Sequence, residues 1–223
     1  MLLRAVPRPL IFDVGANIGQ TLDRYARTFP TRTIYCFEPY PESFERLAAK
    51  ANQTANAFPY CLAFAEEVGT RDFFTNPAHS GTNSLLARPK DKRRYYAPNA
   101  ELHEIIKVQV DTLDRFCRNH AIPKLNILKL DIQGGELLAL QGAVELLARN
   151  AIDIIYIEVE FVPHYENQPL FHQIVGFLSG YGYSLYNLYD LVYARNGQLR
   201  FGDAIFLSNP VRQDIVDAFP SER

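Results

Sequence analysis

Four short stretches of this chain combine acidic residues with glycine or proline where apolar runs end, and their types suit a nucleoside-like ligand. They are Asp13-Val14-Gly15-Ala16-Asn17-Ile18-Gly19, Glu38-Pro39, Asp131-Ile132-Gln133-Gly134-Gly135-Glu136, and the pair Glu158 and Glu160. In the first, Gly15 lets backbone pass close to a ligand and Gly19 lets the following helix pack closely. The D-x-G-x-N-x-G pattern lacks the G-x-G-x-x-G spacing that seats a pyrophosphate on a helix N-terminus, which counts against a nicotinamide dinucleotide. S-adenosylmethionine carries no phosphate but does carry an ammonium, which Asp13 is placed to attract directly or through water. A generic tight turn is the competing reading. Glu38 then stands roughly 20 residues past the glycine turn, where a strand-end carboxylate meets the ribose hydroxyls of an adenosine cofactor. One carboxylate accepts from both hydroxyls at once. Together Asp13, Gly15, Ala16, Asn17, Gly19 and Glu38 make the candidate cofactor set.

If the ligand is S-adenosylmethionine, methyl transfer from its sulfonium asks for alignment of the attacking atom with the methyl carbon. A hydroxyl nucleophile also needs a base or a metal to take its proton. Asp131, Glu158 and His164 are the candidate bases, for which a solvated loop position of His164 is the plainer alternative. Asp131 with Glu158 is also a conceivable Mg²⁺ pair, but two carboxylates are few for such a site and metal-free chemistry is favoured. Asn83 and Ser84, within Ser80-Gly81-Thr82-Asn83-Ser84, are candidate hydrogen-bonding partners for acceptor hydroxyls. The run Lys90, Lys92, Arg93 and Arg94 beside Tyr95 and Tyr96 would receive an anionic or glycan acceptor, unless it is simply a solvated loop face. Tyr186, Tyr189 and Tyr193 suit stacking on sugar rings as well as they suit edge packing.

These residues need elements to hold them, and the hydrophobic periodicity supplies strands and helices in alternation. Apolar runs at 10–14, 33–37, 58–64, 70–74, 105–110, 125–130 and 152–159 read as strands, with two further runs at 191–195 and 204–208 around the Asn196-Gly197 turn signal. Helical stripes lie between them: Leu22, Tyr25, Ala26 and Phe29; Phe44, Leu47, Ala48 and Ala51; 113–119, capped by Asp111 or Thr112; Leu137, Leu140, Val144 and Leu147; and Phe171, Ile174, Val175 and Leu178. Residues 76–103, with four prolines or glycines, break the rhythm and read as a long loop or lid. Alternation of this kind predicts a doubly wound, mostly parallel α/β sheet with a C-terminal antiparallel hairpin, as one domain over 1–223. Ligands bind such sheets at the carboxyl ends of the strands, which is where the four stretches fall.

Composition narrows the class. The chain has 223 residues, 48% hydrophobic and 22% charged, with a net charge of -2. That charge argues against a general nucleic-acid or membrane-surface binder. No run reaches the roughly 18 apolar residues of a membrane span, and the start is too short an apolar run for a signal peptide. Cys36, Cys61 and Cys117 are sparse, odd in number and without metal-ligand spacing, so reduced thiols in a cytoplasmic protein are expected. Oligomeric state is left open.

The segments F-D-V-G-A-N-I-G, F-E-P, D-T-L-D-R-F, L-K-L-D-I-Q-G-G-E and I-Y-I-E-V-E, with Asp203-Ala204-Ile205-Phe206 near the end, occur in this order and resemble the FkbM family of S-adenosylmethionine-dependent methyltransferases. The resemblance implies the seven-stranded Rossmann-like methyltransferase sheet and O-methylation of a hydroxyl on a sugar, polysaccharide or glycosylated natural product. Gln133 departs from the family, which usually has Glu there in D-x-E-G-x-E. Two other readings compete: a methyltransferase for a peptide, lipid or small-acid acceptor, and a non-catalytic nucleotide-binding scaffold.

Overall fold

A computed structural model of the chain describes residues 6–76, 78–89 and 104–218. In chain order the elements are β1 (Leu10–Val14), α1 (Gln20–Thr28), β2 (Thr33–Phe37), α2 (Pro41–Ala51), β3 (Ala57–Tyr60), β4 (Ala63–Phe64), β5 (Gly69–Thr75), β6 (Glu104–Asp111), α3 (Leu113–Asn119), β7 (Leu125–Leu130), α4 (Glu136–Gln141), α5 (Val144–Ala148), β8 (Ile152–Glu160), α6 (Phe171–Gly180), β9 (Ser184–Tyr193), β10 (Leu199–Leu207) and α7 (Asn209–Arg212). Seven strands form one sheet in the order β3-β2-β1-β7-β8-β10-β9. All neighbours are parallel except β10, which runs antiparallel to β8 and β9. Strand order reverses between β1 and β7, the place where such sheets open a crevice at their carboxyl ends.

The two faces differ. Phe12, Leu128, Ile155 and Phe206 share one face and pack under α3 to α6 in the larger apolar core. The other face carries Ile11, Ile127, Ile154 and Leu207 in one row, packed with Leu22 of α1 and Leu47 of α2. One row nearer the carboxyl ends, the register sets Asp13 beside Lys129, Lys129 beside Tyr156, and Tyr156 beside Ile205. Beyond that row, Glu158 pairs with Asp203. This face therefore turns from apolar to charged along the strand direction, toward the ligand-binding end.

The structure corrects the sequence reading at three elements, one being the strand expected at 191–195, which is β9 and begins already at Ser184. The run 58–64 is not one strand: β3 pairs with β2, whereas β4 pairs with β6 in a separate three-stranded sheet of order β4-β6-β5. This small sheet has its own apolar cluster, with Tyr40, Ala65, Phe73 and Val108 buried together. The stripe from Leu137 to Leu147 is two helices, because Gly142 lies against the chain at Ala65. A Cβ on Gly142 would come within 2.2 Å of the Ala65 carbonyl oxygen. The carboxylate of Asp114 then starts α5 afresh by accepting from Glu145 N at 2.8 Å and Leu146 N at 2.9 Å. Of the proposed lid, residues 77 and 90–103 lie outside the described residues, and so do Lys90, Lys92, Arg93, Arg94, Tyr95 and Tyr96.

Candidate active site

The β1–α1 turn and the end of β7 meet at the strand-order reversal. Gly15 takes φ 82 with the Asp131 carbonyl directly against it, and a Cβ there would lie 1.8 Å from that oxygen. Only glycine fits, since both the positive φ and the contact exclude a side chain. Gly15 N and Ala16 N both donate to Phe37 O at 3.0 Å, which ties the turn to the end of β2. Glu38 comes immediately after. Its Oε2 accepts from Asn17 N and its Oε1 from Tyr40 N, each at 2.9 Å. Burial pushes its pKa up to about 7, against the two amides, which favour the charged form.

These groups border a cavity of about 310 Å³, within the size range of small-molecule sites. Gly15, Ala16, Asn17 and Glu38 line it together with Asp131 and Gln133. Leu62, Phe64, Phe73 and Leu85 give the cavity its apolar lining, with Phe64 and Phe73 supplied by the small sheet. Sequence reasoning missed this lining, because its residues are apolar and come from two loops and two strands of the second sheet. The lining thus combines a buried carboxylate, a glycine turn and apolar side chains.

A second, larger cavity of about 860 Å³ follows α1 over the half-covered sheet face and shares Thr21, Lys129 and Asp131 with the first. Glu158, Tyr156, Tyr189 and Asp203 also line it. Tyr186 and Tyr193 are exposed on β9 and Tyr189 alone of the three reaches this cavity.

Several expected site residues sit elsewhere. Asp13 is fully buried behind the turn and does not line the cofactor cavity. Its carboxylate receives the Thr21 hydroxyl and pairs with Lys129 Nζ at 3.2 Å, so a lysine already occupies the position expected of a ligand ammonium. Lys129 also reaches Asp131 Oδ2 at 3.3 Å. Burial opposes its charge, yet Asp13 and then Asp131 outweigh burial and hold its pKa above the usual lysine value. Gly19 lies off the cavity, at the start of α1, where its carbonyl accepts from Lys50 Nζ at 2.6 Å.

Ser84 is buried and structural in position: its hydroxyl donates to Gln133 O at 2.7 Å and accepts from Leu86 N at 2.9 Å. Asn83 does line the cavity, with Oδ1 engaged by Asn76 N at 2.7 Å. His164 is neither solvated nor open to the cavities. Its Nε2 accepts from Arg200 Nη2 at 2.7 Å, since a guanidinium only donates, so its Nδ1–H faces Glu160 Oε2 at 2.6 Å. Both ring nitrogens are thus engaged, which leaves Asp131 and Glu158 as the two candidate bases beside a cavity. Burial and the neighbouring Asp131, Glu136, Glu160 and Asp203 push Glu158 well above the usual carboxylate range.

A family model described as the methyltransferase FkbM domain matches residues 13–185. The 2-O-methyltransferase NoeI of Sinorhizobium fredii is 24% identical over 73% of this chain and 68% of its own length. The 31-O-demethyl-FK506 methyltransferase FkbM of Streptomyces tacrolimicus is 27% identical over 84% of this chain and 77% of its own. The hexuronic acid methyltransferase AglP of Haloferax volcanii is 23% identical over 71% of this chain, which spans 59% of AglP. Among solved structures, the magnesium protoporphyrin IX methyltransferase of Synechocystis with bound S-adenosylmethionine superposes with a TM-score of 0.52, at 11% identity over 92% of this chain and 73% of its own. That likeness concerns the fold.

Proposed function

The chain belongs to the FkbM family of S-adenosylmethionine-dependent methyltransferases, and from that premise we propose that it O-methylates a hydroxyl of a sugar, polysaccharide or glycosylated product. The observation that carries the reading is one cavity bordered by Glu38, by the Gly15 turn and by Asp131. Bound S-adenosylmethionine supplies an electrophilic methyl group on a sulfonium. Glu38 accepts from the ribose hydroxyls, the Gly15 turn lets backbone approach the ligand, and Leu62, Phe64, Phe73 and Leu85 shelter the adenine.

The acceptor enters from the larger cavity, which adjoins the first at Asp131. Tyr156, Tyr189 and Asp203 offer it hydroxyl and carboxylate partners. Asp131 stands where the two cavities meet and Glu158 lines the larger one, and one of them takes the hydroxyl proton. The name of AglP specifies a hexuronic acid acceptor and those of NoeI and FkbM specify O-methylation, which supports the reading without naming this chain's own acceptor.

The test is transfer of radiolabelled methyl from S-adenosylmethionine to separate pools of oligosaccharides, glycosides, peptides, lipids and small acids. Label in the carbohydrate pools, abolished by Asp131→Ala with cofactor affinity kept, is the expected result. Label confined to the peptide, lipid or acid pools overturns the acceptor class. Loss of cofactor affinity in Asp131→Ala would instead assign that residue to the cofactor.

A further inference from the structure

Gln133 stands where the cofactor cavity, the acid pair and the 80–86 segment come together. Its backbone takes φ 56, a conformation uncommon outside glycine, and its carbonyl receives the Ser84 hydroxyl. Both ends of its side chain are engaged. Oε1 lies 2.9 Å from the Tyr165 hydroxyl. Nε2 lies 2.6 Å from Glu158 Oε2 and 3.4 Å from Asp131 Oδ1. With the acids ionised, turning the amide over would set its oxygen against carboxylate oxygens, so its donor end faces the acids. Tyr165 is itself held firmly: it is buried, its hydroxyl is 3.0 Å from the Thr82 carbonyl, and the Arg88 guanidinium lies 4.1 Å above its ring.

Two neighbouring carboxylates in a partly buried place repel unless a proton, a cation or hydrogen-bond donors come between them. Lys129 serves one oxygen of Asp131, and its other contact is Asp13. Asp131 Oδ1 and Glu158 Oε2 both receive the Gln133 amide.

We propose that Gln133 is a positioning residue that stands in for a cation, its carboxamide N–H groups holding Asp131 and Glu158 together beside the two cavities. The amide brings donors without charge, so the pair keeps its place without a divalent ion, and Glu158 keeps one oxygen for an acceptor hydroxyl. A carboxylate at the same position would add acceptor oxygens and negative charge, the donor set that hard divalent cations take. This deepens the proposed reaction by saying how its candidate bases are held, and it is tested without an acceptor.

The experiment is titration of Mn²⁺, followed by the electron paramagnetic resonance of the free ion. The samples are wild type, Glu158→Gln, Gln133→Glu and the double variant Gln133→Glu/Glu158→Gln, each checked for S-adenosylhomocysteine binding. Gln133→Glu should bind one Mn²⁺ at least about tenfold more tightly than wild type, with the gain lost in the double variant. No gain in Gln133→Glu overturns the proposal, and so does tight Mn²⁺ binding by wild type that Glu158→Gln removes. If Gln133→Glu does not fold, Gln133→Met decides: it should lower Tm clearly in the wild type and little once Glu158→Gln has removed the charge. Equal losses in both backgrounds overturn the clamp. Absence of S-adenosylhomocysteine binding by wild type would refute the methyltransferase reading and leave Gln133 to stand on the Mn²⁺ result.

Discussion

The Glu38 carboxyl is held near 7 because burial opposes its charge more than the Asn17 and Tyr40 amides favour it. Ribose hydroxyls that donate to it favour the ionised form, so ligand binding releases a proton below that value. Affinity for S-adenosylhomocysteine should therefore rise as pH increases through about 7 and level off above it. Glu38→Gln should flatten this profile and weaken binding by about 1.5–3 kcal/mol, the range for hydrogen bonds to a charged group. Calorimetry at several pH values reads both, and a flat wild-type profile would contradict the assignment. Lys129→Met carries a different expectation. It leaves Asp13 buried without its cation and should cost about 3–5 kcal/mol of stability in denaturant titration. A loss under about 1 kcal/mol would mean that Thr21 alone satisfies Asp13. Both residues show what the sequence could reveal. Glu38 was legible from its distance to the glycine turn. The pairing of Asp13 was not, although a lysine in the middle of the apolar run L-K-L-D signals a buried partner. His164 looked solvated because its partner Arg200 lies 36 residues away in sequence.

Element by element, the helices and central strands were readable because their periodicity is strong. The misread elements owe their shape to distant contacts. Strand β4 has two residues, too few for any pattern, and exists through its pairing with β6. The stripe from Leu137 to Leu147 keeps helical spacing across a real break, which Gly142 imposes by its approach to Ala65. Asp114, on α3, caps the start of α5 beyond that break. Asp114→Ala should cost about 1–2 kcal/mol, as loss of a helix cap does, and leave S-adenosylhomocysteine affinity within about twofold. An unchanged Tm would show that α5 starts without it. Phe64 and Phe73, in the apolar lining of the cofactor cavity, come from the small sheet, which is why they went unnoticed as site residues.

Across the whole molecule, the sheet has an apolar face closed by four helices and a second face that becomes charged toward the strands' carboxyl ends. Holding acids there has a thermodynamic signature. Glu38 is raised to about 7 and Glu136 to about 8, in both cases chiefly by burial. The folded state therefore keeps protons that the unfolded chain releases near the ordinary carboxylate value, and stability should fall as pH rises from about 4.5 to about 8. Thermal melts over that span check the sign, and a Tm that climbs across it would contradict the burial of these groups. Bound cofactor should offset part of the loss by engaging Glu38 in its ionised form. The chemistry of the site turns on that cofactor. The most direct test is isothermal titration of the wild type and Glu38→Ala with S-adenosylhomocysteine and with NAD. The prediction is saturable binding of S-adenosylhomocysteine, weakened at least about tenfold in the variant, and none of NAD. Binding of NAD alone, or of neither ligand, would contradict the claim that this cavity holds the methyl donor.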